Sequence, residues 1–443
     1  MTSRAEPSTL TRAAAATFTT NAAVVAFSLI NVLILARALG PAGRGSVAFV
    51  IAVFVLTGGL ASLGLEQANA NLGGTRPERR ATLATNSLLA ALVVGAGAAL
   101  LVGLLLAVVP AARGEADVRL LLLALAVLPS GLLGDYLKYL LQSDYRFGVT
   151  NAAWIASPAA TALVNGSLAA AGRLSVALAV AVFAATNVLA TSILAVSVAR
   201  NFGFGRPDLG LARVAFSFGL KTHVTRFLVF GTYRADQWLL GAIAGPYELG
   251  LYSIALSITE LLFYVSGVIV LVQRPHLVRA LPAAAAEFAA RIFRRALVLS
   301  GIAGAALFVL APPLTVVLFG EEFRESGSYV RILAFAAFGV LAIDLFSNAA
   351  TAQRRPLLPA AAAGAALLLM VTLNLVLAPE LGALGAALAK TAAYTAGGAT
   401  MVILFLRVFG SDHRALVLRQ DDIAWYVRKA RAGVAALRAS RGG

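Results

Sequence analysis

The chain has 443 residues, 60% of them hydrophobic and only 13% charged, with a mean hydropathy of +0.86, whereas ordinary soluble domains carry roughly 45–50% apolar and about 25% charged residues. About twelve spans of ~20 residues would absorb that excess, so the composition excludes a cytosolic enzyme and leaves no stretch for a soluble catalytic domain. Cysteine is absent, which removes disulfides, thiol catalysis and iron–sulfur clusters, and His223, His276 and His413 are too scattered to suggest a zinc cluster. A formal charge of +16 would suggest nucleic acid in a soluble protein; here the basic residues fall mainly between apolar runs, where they read as topology signals, and no nucleic-acid partner is expected.

Only Arg4 and Arg12 precede the first apolar run, which has no small-residue cleavage site followed by a polar chain, so it reads as an uncleaved helix. Apolar runs predict transmembrane helices over 13–38, 46–70, 82–109, 118–142, 149–171, 175–199, 214–243, 247–272, 291–318, 328–352, 357–378 and 381–407, followed by a polar tail. Lys221, His223, Arg226, Arg234 and Asp236 interrupt the run 214–243. With a cytoplasmic N-terminus, 27 of the 36 basic residues lie on the cytoplasmic side and 7 outside; without the tail the ratio is 19 to 7. The positive-inside rule therefore puts both termini of a multi-pass cell-membrane protein in the cytoplasm.

The second half resembles the first. Residues 35–49 align with 240–254 at an offset of 205, matching Gly40-Pro41 with Gly245-Pro246 and Gly45 with Gly250; Asp135 and Asn165 match Asp344 and Asn374 at an offset of 209. The offset contains six spans, an even number, which implies parallel repeats about an axis along the membrane normal, each a six-helix bundle, facing each other across a midplane cavity. The rival reading is that Gly-Pro is ordinary loop punctuation and Ala/Leu-rich helices align by accident. The expected fold is all-α and polytopic, with bundles at 1–205 and 206–407 and a basic cytoplasmic tail at 408–443.

The first half carries Arg37-x-Leu39-Gly40-Pro41-x-x-x-Gly45 and Leu63-Gly64-Leu65-Glu66. The second carries Arg234-Ala-Asp236-Gln-Trp-Leu-Leu-Gly241, Gly245-Pro246-x-x-x-Gly250-Leu-Tyr252 and Leu384-Gly385-Ala386-Ala387. These motifs resemble the signatures of bacterial polysaccharide-export flippases. The superfamily also holds multidrug and toxin extrusion antiporters and lipid II flippases. The resemblance implies two six-helix bundles that move undecaprenyl-pyrophosphate-linked oligosaccharide from the inner to the outer leaflet. Polysaccharide polymerase and glycosyltransferases of the same pathway are the implied partners, beside the membrane lipids. The chain departs from the pattern in its alanine content and in Arg44, where a neutral or acidic residue is more usual.

Ionisable residues inside spans are costly, about 2.5–3.5 kcal/mol at mid-helix, so they tend to face a cavity or a partner. Asp135, Lys138, Arg234, Asp236, Glu260, Asp344 and Lys390 make up this set. Asp135 and Lys138 share a helical face, as either a cavity pair or a self-neutralising one, and Asp344 with Asn348 one turn on suggests a polar stripe. Arg234 and Asp236 face roughly 200° apart, so one is expected to face the cavity and the other the bundle. Asp236 aligns with Asn31, which favours an inward-facing position, whereas Glu260 aligns with Val55 and gains no such support.

A pyrophosphate head group calls for cations that hold phosphate at any pH, which suits arginine. The candidates are Arg234 above all, then Arg37, Arg226 and Lys221. Against these stand bland readings: a helix-end charge for Arg37 and topology anchors for Lys221 and Arg226. Two drives fit outward movement of a dianionic head: an inside-negative potential, or H⁺ or Na⁺ bound at an acidic residue such as Asp236 and coupled to return of the empty carrier. No resident cofactor or metal is expected. In the tail, Leu416, Ile423, Tyr426, Val427, Ala430, Val434 and Leu437 recur at helical spacing with Arg428, Lys429 and Arg431 between them, as in a basic amphipathic helix on an anionic leaflet or, alternatively, a partner-binding helix.

The rival functions are a multidrug or cation antiporter of the same superfamily and, from another class, a membrane polymerase or glycosyltransferase. The second is disfavoured because the longest predicted outer loop has about ten residues, near 319–328, with Glu321, Glu322 and Glu325 as its acidic cluster. No GxxxxGK[ST] phosphate loop is present, so the chain is not read as an enzyme.

Overall fold

The computed structural model describes the backbone of residues 7–355, 357–410, 412–426, 428 and 429, with side chains from residue 19 except at 222, 225, 265, 268, 271, 272 and 275. The described secondary structure is helical, and nine of its helices are long and apolar enough to cross a membrane. The protein is an all-α, multi-pass membrane protein. Leucines and valines such as Val93, Leu100, Leu101 and Leu368 stand exposed on helix faces, as lipid-facing side chains do and as a water-soluble surface would not tolerate in such numbers.

The first half comprises α1 (Pro7–Ala61), α2 (Leu65–Thr75), α3 (Arg80–Val108), a single turn α4 (Pro110–Arg113), α5 (Val118–Ala126), α6 (Leu128–Gln142), α7 (Phe147–Ala170) and α8 (Val176–Asn201). The second comprises α9 (Leu209–Arg279), α10 (Pro282–Phe319), α11 (Ser326–Ala352) and α12 (Leu357–Phe409). Three of the long helices are broken at a glycine with positive φ: Gly40 (65°), Gly245 (83°) and Gly382 (54°). Gly40 and Gly245 each precede a proline, which removes a backbone donor just where glycine permits the turn. These breaks fall between the predicted spans 13–38 and 46–70 and between 214–243 and 247–272, and the third falls at the start of 381–407. Two predicted spans are themselves divided. The second ends at Ala61, since Leu63 and Gly64 turn through φ 48° and 71° into α2. The fourth is interrupted at Val127 before Pro129 in the first turn of α6.

Apolar packing is arranged in three main clusters. One lies in the first half around Leu83, Tyr136, Leu140 and Leu194, and one in the second around Phe293, Phe346 and Phe405. The third joins the halves, packing Phe49, Leu106 and Leu125 against Leu240, Leu249 and Tyr252. The two Gly-Pro elements meet beside it. A Cβ built on Gly45 would lie 1.7 Å from the Pro246 carbonyl oxygen, and one on Gly250 would lie 1.9 Å from that of Pro41. Only glycine allows so close a backbone approach, and the two contacts are reciprocal. A second close approach joins α2 to the early part of α9: a Cβ on Gly64 would lie 2.3 Å from the Gly219 carbonyl oxygen, and one on Gly219 2.5 Å from that of Leu63.

The start of the tail docks on the protein. Residues 420–426 are helical, and Asp422 accepts a 2.7 Å hydrogen bond from Arg294 Nε in an ion pair whose two side chains are buried. Arg294 also donates to the Ala415 carbonyl, Tyr426 donates to the Arg295 carbonyl at 3.0 Å, and Arg295 stacks over Trp425 at 4.6 Å. Leu416 packs on the second-half cluster while Ile423 is exposed, so this part of the tail is held by α10 rather than lying free. The predicted positions Val427, Ala430, Arg431, Val434 and Leu437 lie outside the described residues, as do the side chains of Arg4 and Arg12.

A cavity between the two halves as candidate functional site

A cavity of about 500 Å³ lies between the halves, walled by α1, α6, α7 and α8 on one side and by α9 on the other. Its charged lining residues are Arg44, Asp135, Lys138, Arg234 and Glu260, three cations against two carboxylates. Asn31, Gln237, Ser253 and Ser257 add hydrogen-bonding groups, and Trp154 and Tyr264 add aromatic surface. Trp154, Leu261 and Tyr264 are 45%, 41% and 52% exposed. The cavity is therefore accessible between α7 and the part of α9 after Gly245.

Arg234 lines this cavity and pairs with Glu260 at 3.0 Å, both side chains about one-third exposed. The break at Gly245 brings the two together, folding α9 back so that residues 26 apart in sequence face each other. Glu260 thus belongs to the cavity although the alignment of the halves gave it no support. Asp236, two residues from Arg234, points the other way. It is wholly buried, paired with Lys390 at 2.7 Å, and accepts a further hydrogen bond from the Tyr252 hydroxyl. The expectation of a cavity-facing Asp236 is corrected: 200° of helical rotation puts it inside the second half, where a tethered ammonium already occupies the position that a coupling H⁺ or Na⁺ was expected to take.

Asn31 lines the cavity and accepts a 2.8 Å hydrogen bond from the buried Asn165. Asp135 and Lys138 line it too, and Lys138 Nζ lies 3.7 Å from the centre of the Trp154 ring, a cation–π contact with the indole face. Asp344 and Asn348 are elsewhere, lining a second cavity of about 380 Å³ within the second half. Ser266 donates to Asp344, and Asn348 donates to the Val270 carbonyl at 3.3 Å.

Three of the proposed phosphate ligands are not cavity residues. Arg37 donates two 2.7 Å hydrogen bonds to the carbonyls of Leu318 and Val317, capping the end of α10. It serves a helix dipole, and the helix belongs to the other half. Arg226 forms a 3.2 Å ion pair with the fully buried Glu66 of α2 and stacks over Phe230, bridging the halves near Gly64 and Gly219. Lys221 is exposed on α9, away from both cavities. Arg44 is the residue that sequence reasoning passed over as a substrate ligand. Its signal was present in the departure from the flippase pattern, an arginine in the first turn after Gly40-Pro41.

The sequence matches the family described as polysaccharide biosynthesis protein over residues 34–328. The chain belongs to that family. No curated protein matches it. Among solved structures it is similar to the lipid II flippase MurJ in an inward closed conformation, with TM-score 0.72 and 12% identity over 91% of this chain and 88% of that one. It is also similar to an inward-facing multidrug resistance MATE family transporter of the MOP superfamily (TM-score 0.67, 13% identity, covering 87% and 94%). A MOP superfamily transporter from Pyrococcus furiosus shares the architecture as well (TM-score 0.59, 12% identity, covering 90% and 95%). At these identities the likeness establishes the MOP fold, and the substrate has to be argued from the cavity.

Proposed function

We propose that the protein translocates an undecaprenyl-pyrophosphate-linked oligosaccharide, a polysaccharide precursor, from the inner to the outer leaflet of the cell membrane by alternating access. The observation that carries this reading is a cavity with a net excess of cation, between the two halves of a polysaccharide biosynthesis family member, whose wall is open beside Trp154 and Tyr264. An anionic head with its sugars suits the charged and hydrogen-bonding interior, while a polyprenol tail stays in lipid at the opening beside Trp154 and Tyr264. The two halves, 1–205 and 206–407, act as rocking bundles related by the parallel repeat, with both termini cytoplasmic and the tail 408–443 at the inner face. Glycosyltransferases supply the substrate and a polymerase consumes it.

Outward movement of a dianion is favoured by an inside-negative potential at about 2.3 kcal/mol per charge per 100 mV. Because Lys390 already neutralises Asp236, potential-driven movement is the preferred drive. A second reading, an ion-coupled antiporter, is favoured by Asp344, a carboxylate in the second cavity whose described hydrogen-bond partner is a serine. The deciding experiment is translocation of a fluorescent undecaprenyl-pyrophosphate oligosaccharide in proteoliposomes with and without an imposed potential. Potential-dependent movement supports the flippase; absence of movement together with ion-driven uptake of small organic cations establishes the antiporter.

A further inference from the structure

At the Gly-Pro end of the interface each half lays a glutamate over the helix break of the other. Gly320 (φ 105°) ends α10, and the 3₁₀ turn Glu321–Phe323 that follows carries Glu322 to the break in α1, where a Cβ built on Gly40 would lie 3.2 Å from the Glu322 carboxylate. Gly114 (φ 54°) ends α4, and Glu115 beside it reaches the break in α9, where a Cβ on Gly245 would lie 3.5 Å from the Glu115 carboxylate. The two glutamates are 207 residues apart, within the offsets of 205 and 209 that relate the halves. Both turns are fixed in place: Phe323 is buried in the cluster joining the halves, and the Trp238 indole of α9 donates a 2.8 Å hydrogen bond to the Ala112 carbonyl of α4. The helix segments that restart at Pro41 and Pro246 turn free backbone N–H groups, the positive pole of a helix dipole, towards these breaks. A carboxylate is favourable there, and at one seam Arg37 meets the opposite pole of α10. The third break, at Gly382, shows the same device within one half, since Glu248 accepts a 2.8 Å hydrogen bond from the Ala383 N–H.

We infer that Glu115 and Glu322 are exchanged caps that hold the Gly-Pro end of the interface shut and thereby set the state in which the carrier rests. Each carboxylate belongs to one half and stabilises a helix end of the other, so both contacts are lost together when the halves part at this end. Gly45 and Gly250 permit the close backbone approach, and the carboxylates favour it. Both glutamates are exposed, so each acts through its charge at a helix end rather than through burial, on the scale of about a two- to fivefold change in population. A bias of that size favours the closed state and is small enough to be reversed in every transport cycle. The inference rests on the rocking of the two halves and is independent of what they carry.

The test places spin labels in the full chain in lipid nanodiscs at two exposed positions, one in each half. Arg173 adjoins Leu174, which packs on Leu39, and Glu380 lies two residues before the break in α12. Because cysteine is absent, Arg173→Cys and Glu380→Cys supply the only attachment points. Pulsed double electron–electron resonance reads the populations of short and long distances, with the melting temperature recorded for each variant. Glu115→Gln and Glu322→Gln are each expected to raise the ratio of long to short distances about two- to fivefold, and the double variant by about the product. Glu115→Lys, which sets a cation at the same helix end, is expected to exceed Glu115→Gln. Glu321→Gln, whose carboxylate pairs with Arg324 at 2.6 Å, is expected to change nothing. Molar salt, which shortens the screening length to about 3 Å, is expected to open the protein with both glutamates more than the double variant. A long-distance population that is present but equal with and without the glutamates overturns the caps and leaves the rocking halves standing; short distances alone under every condition overturn both. A response to one glutamate and not the other overturns the exchanged pair, and a lower melting temperature with unchanged distances overturns it in favour of a structural role.

Discussion

Two ion pairs begin two residues apart on α9 and live in different solvents. Arg234–Glu260 stands at the cavity wall with both side chains about one-third exposed, whereas Asp236–Lys390 is sealed inside the second half with both below 2%. An exposed pair contributes about 0–1 kcal/mol, and its members are free to exchange partners. A dry pair whose partner is removed leaves a bare charge, at about 3–5 kcal/mol. The pair at the cavity is thus suited to handling a ligand, and the buried pair to fixing how α9 and α12 pack.

The sharpest way to break this contrast is to remove Lys390. Lys390→Met is expected to destabilise the protein by about 3–5 kcal/mol, seen as loss of the monodisperse peak after heating in detergent, and the double variant Lys390→Met with Asp236→Leu to recover most of that loss. A double variant no better than the single one would show that Lys390 acts through something other than Asp236. Arg234→Ala should shift stability by no more than about 1 kcal/mol while abolishing translocation of the lipid-linked glycan. If unfolding accompanies that loss, the two pairs are not different in kind. The smallest effect is that of salt: between low and molar ionic strength, where the screening length falls to about 3 Å, pyrophosphate affinity at the cavity should drop while the melting temperature of the Lys390–Asp236 pair's host half stays nearly constant, as followed by tryptophan fluorescence.

Hydropathy made the membrane-crossing helices legible, because apolar run length is a local property that lipid enforces along the whole chain. The Gly-Pro elements at 40–41 and 245–246 were legible as breaks for the same reason: proline and glycine act where they stand. The 200° separation of Arg234 and Asp236 foretold that they would part. Local reasoning failed where a partner is remote. Lys390 lies 154 residues from Asp236, and Arg37 finds its carbonyls 280 and 281 residues away; no periodicity carries that pairing. Glu260 was undervalued because symmetry between the halves was taken as a guide to function. The cavity lining is asymmetric: Arg44 aligns with Leu249 and Glu260 with Val55, so alignment of the halves points to neither.

The clasp between Arg294 and Asp422 has a consequence for how the molecule is made. Arg294 is inserted with α10, long before its counter-ion is synthesised, so during translation the second half carries an unneutralised guanidinium at its rim. The charge is quenched only when residues 412–426 emerge and fold back onto α10. Arg294 therefore gains its buried carboxylate partner only after α11 and α12 have been made, 128 residues further along the chain.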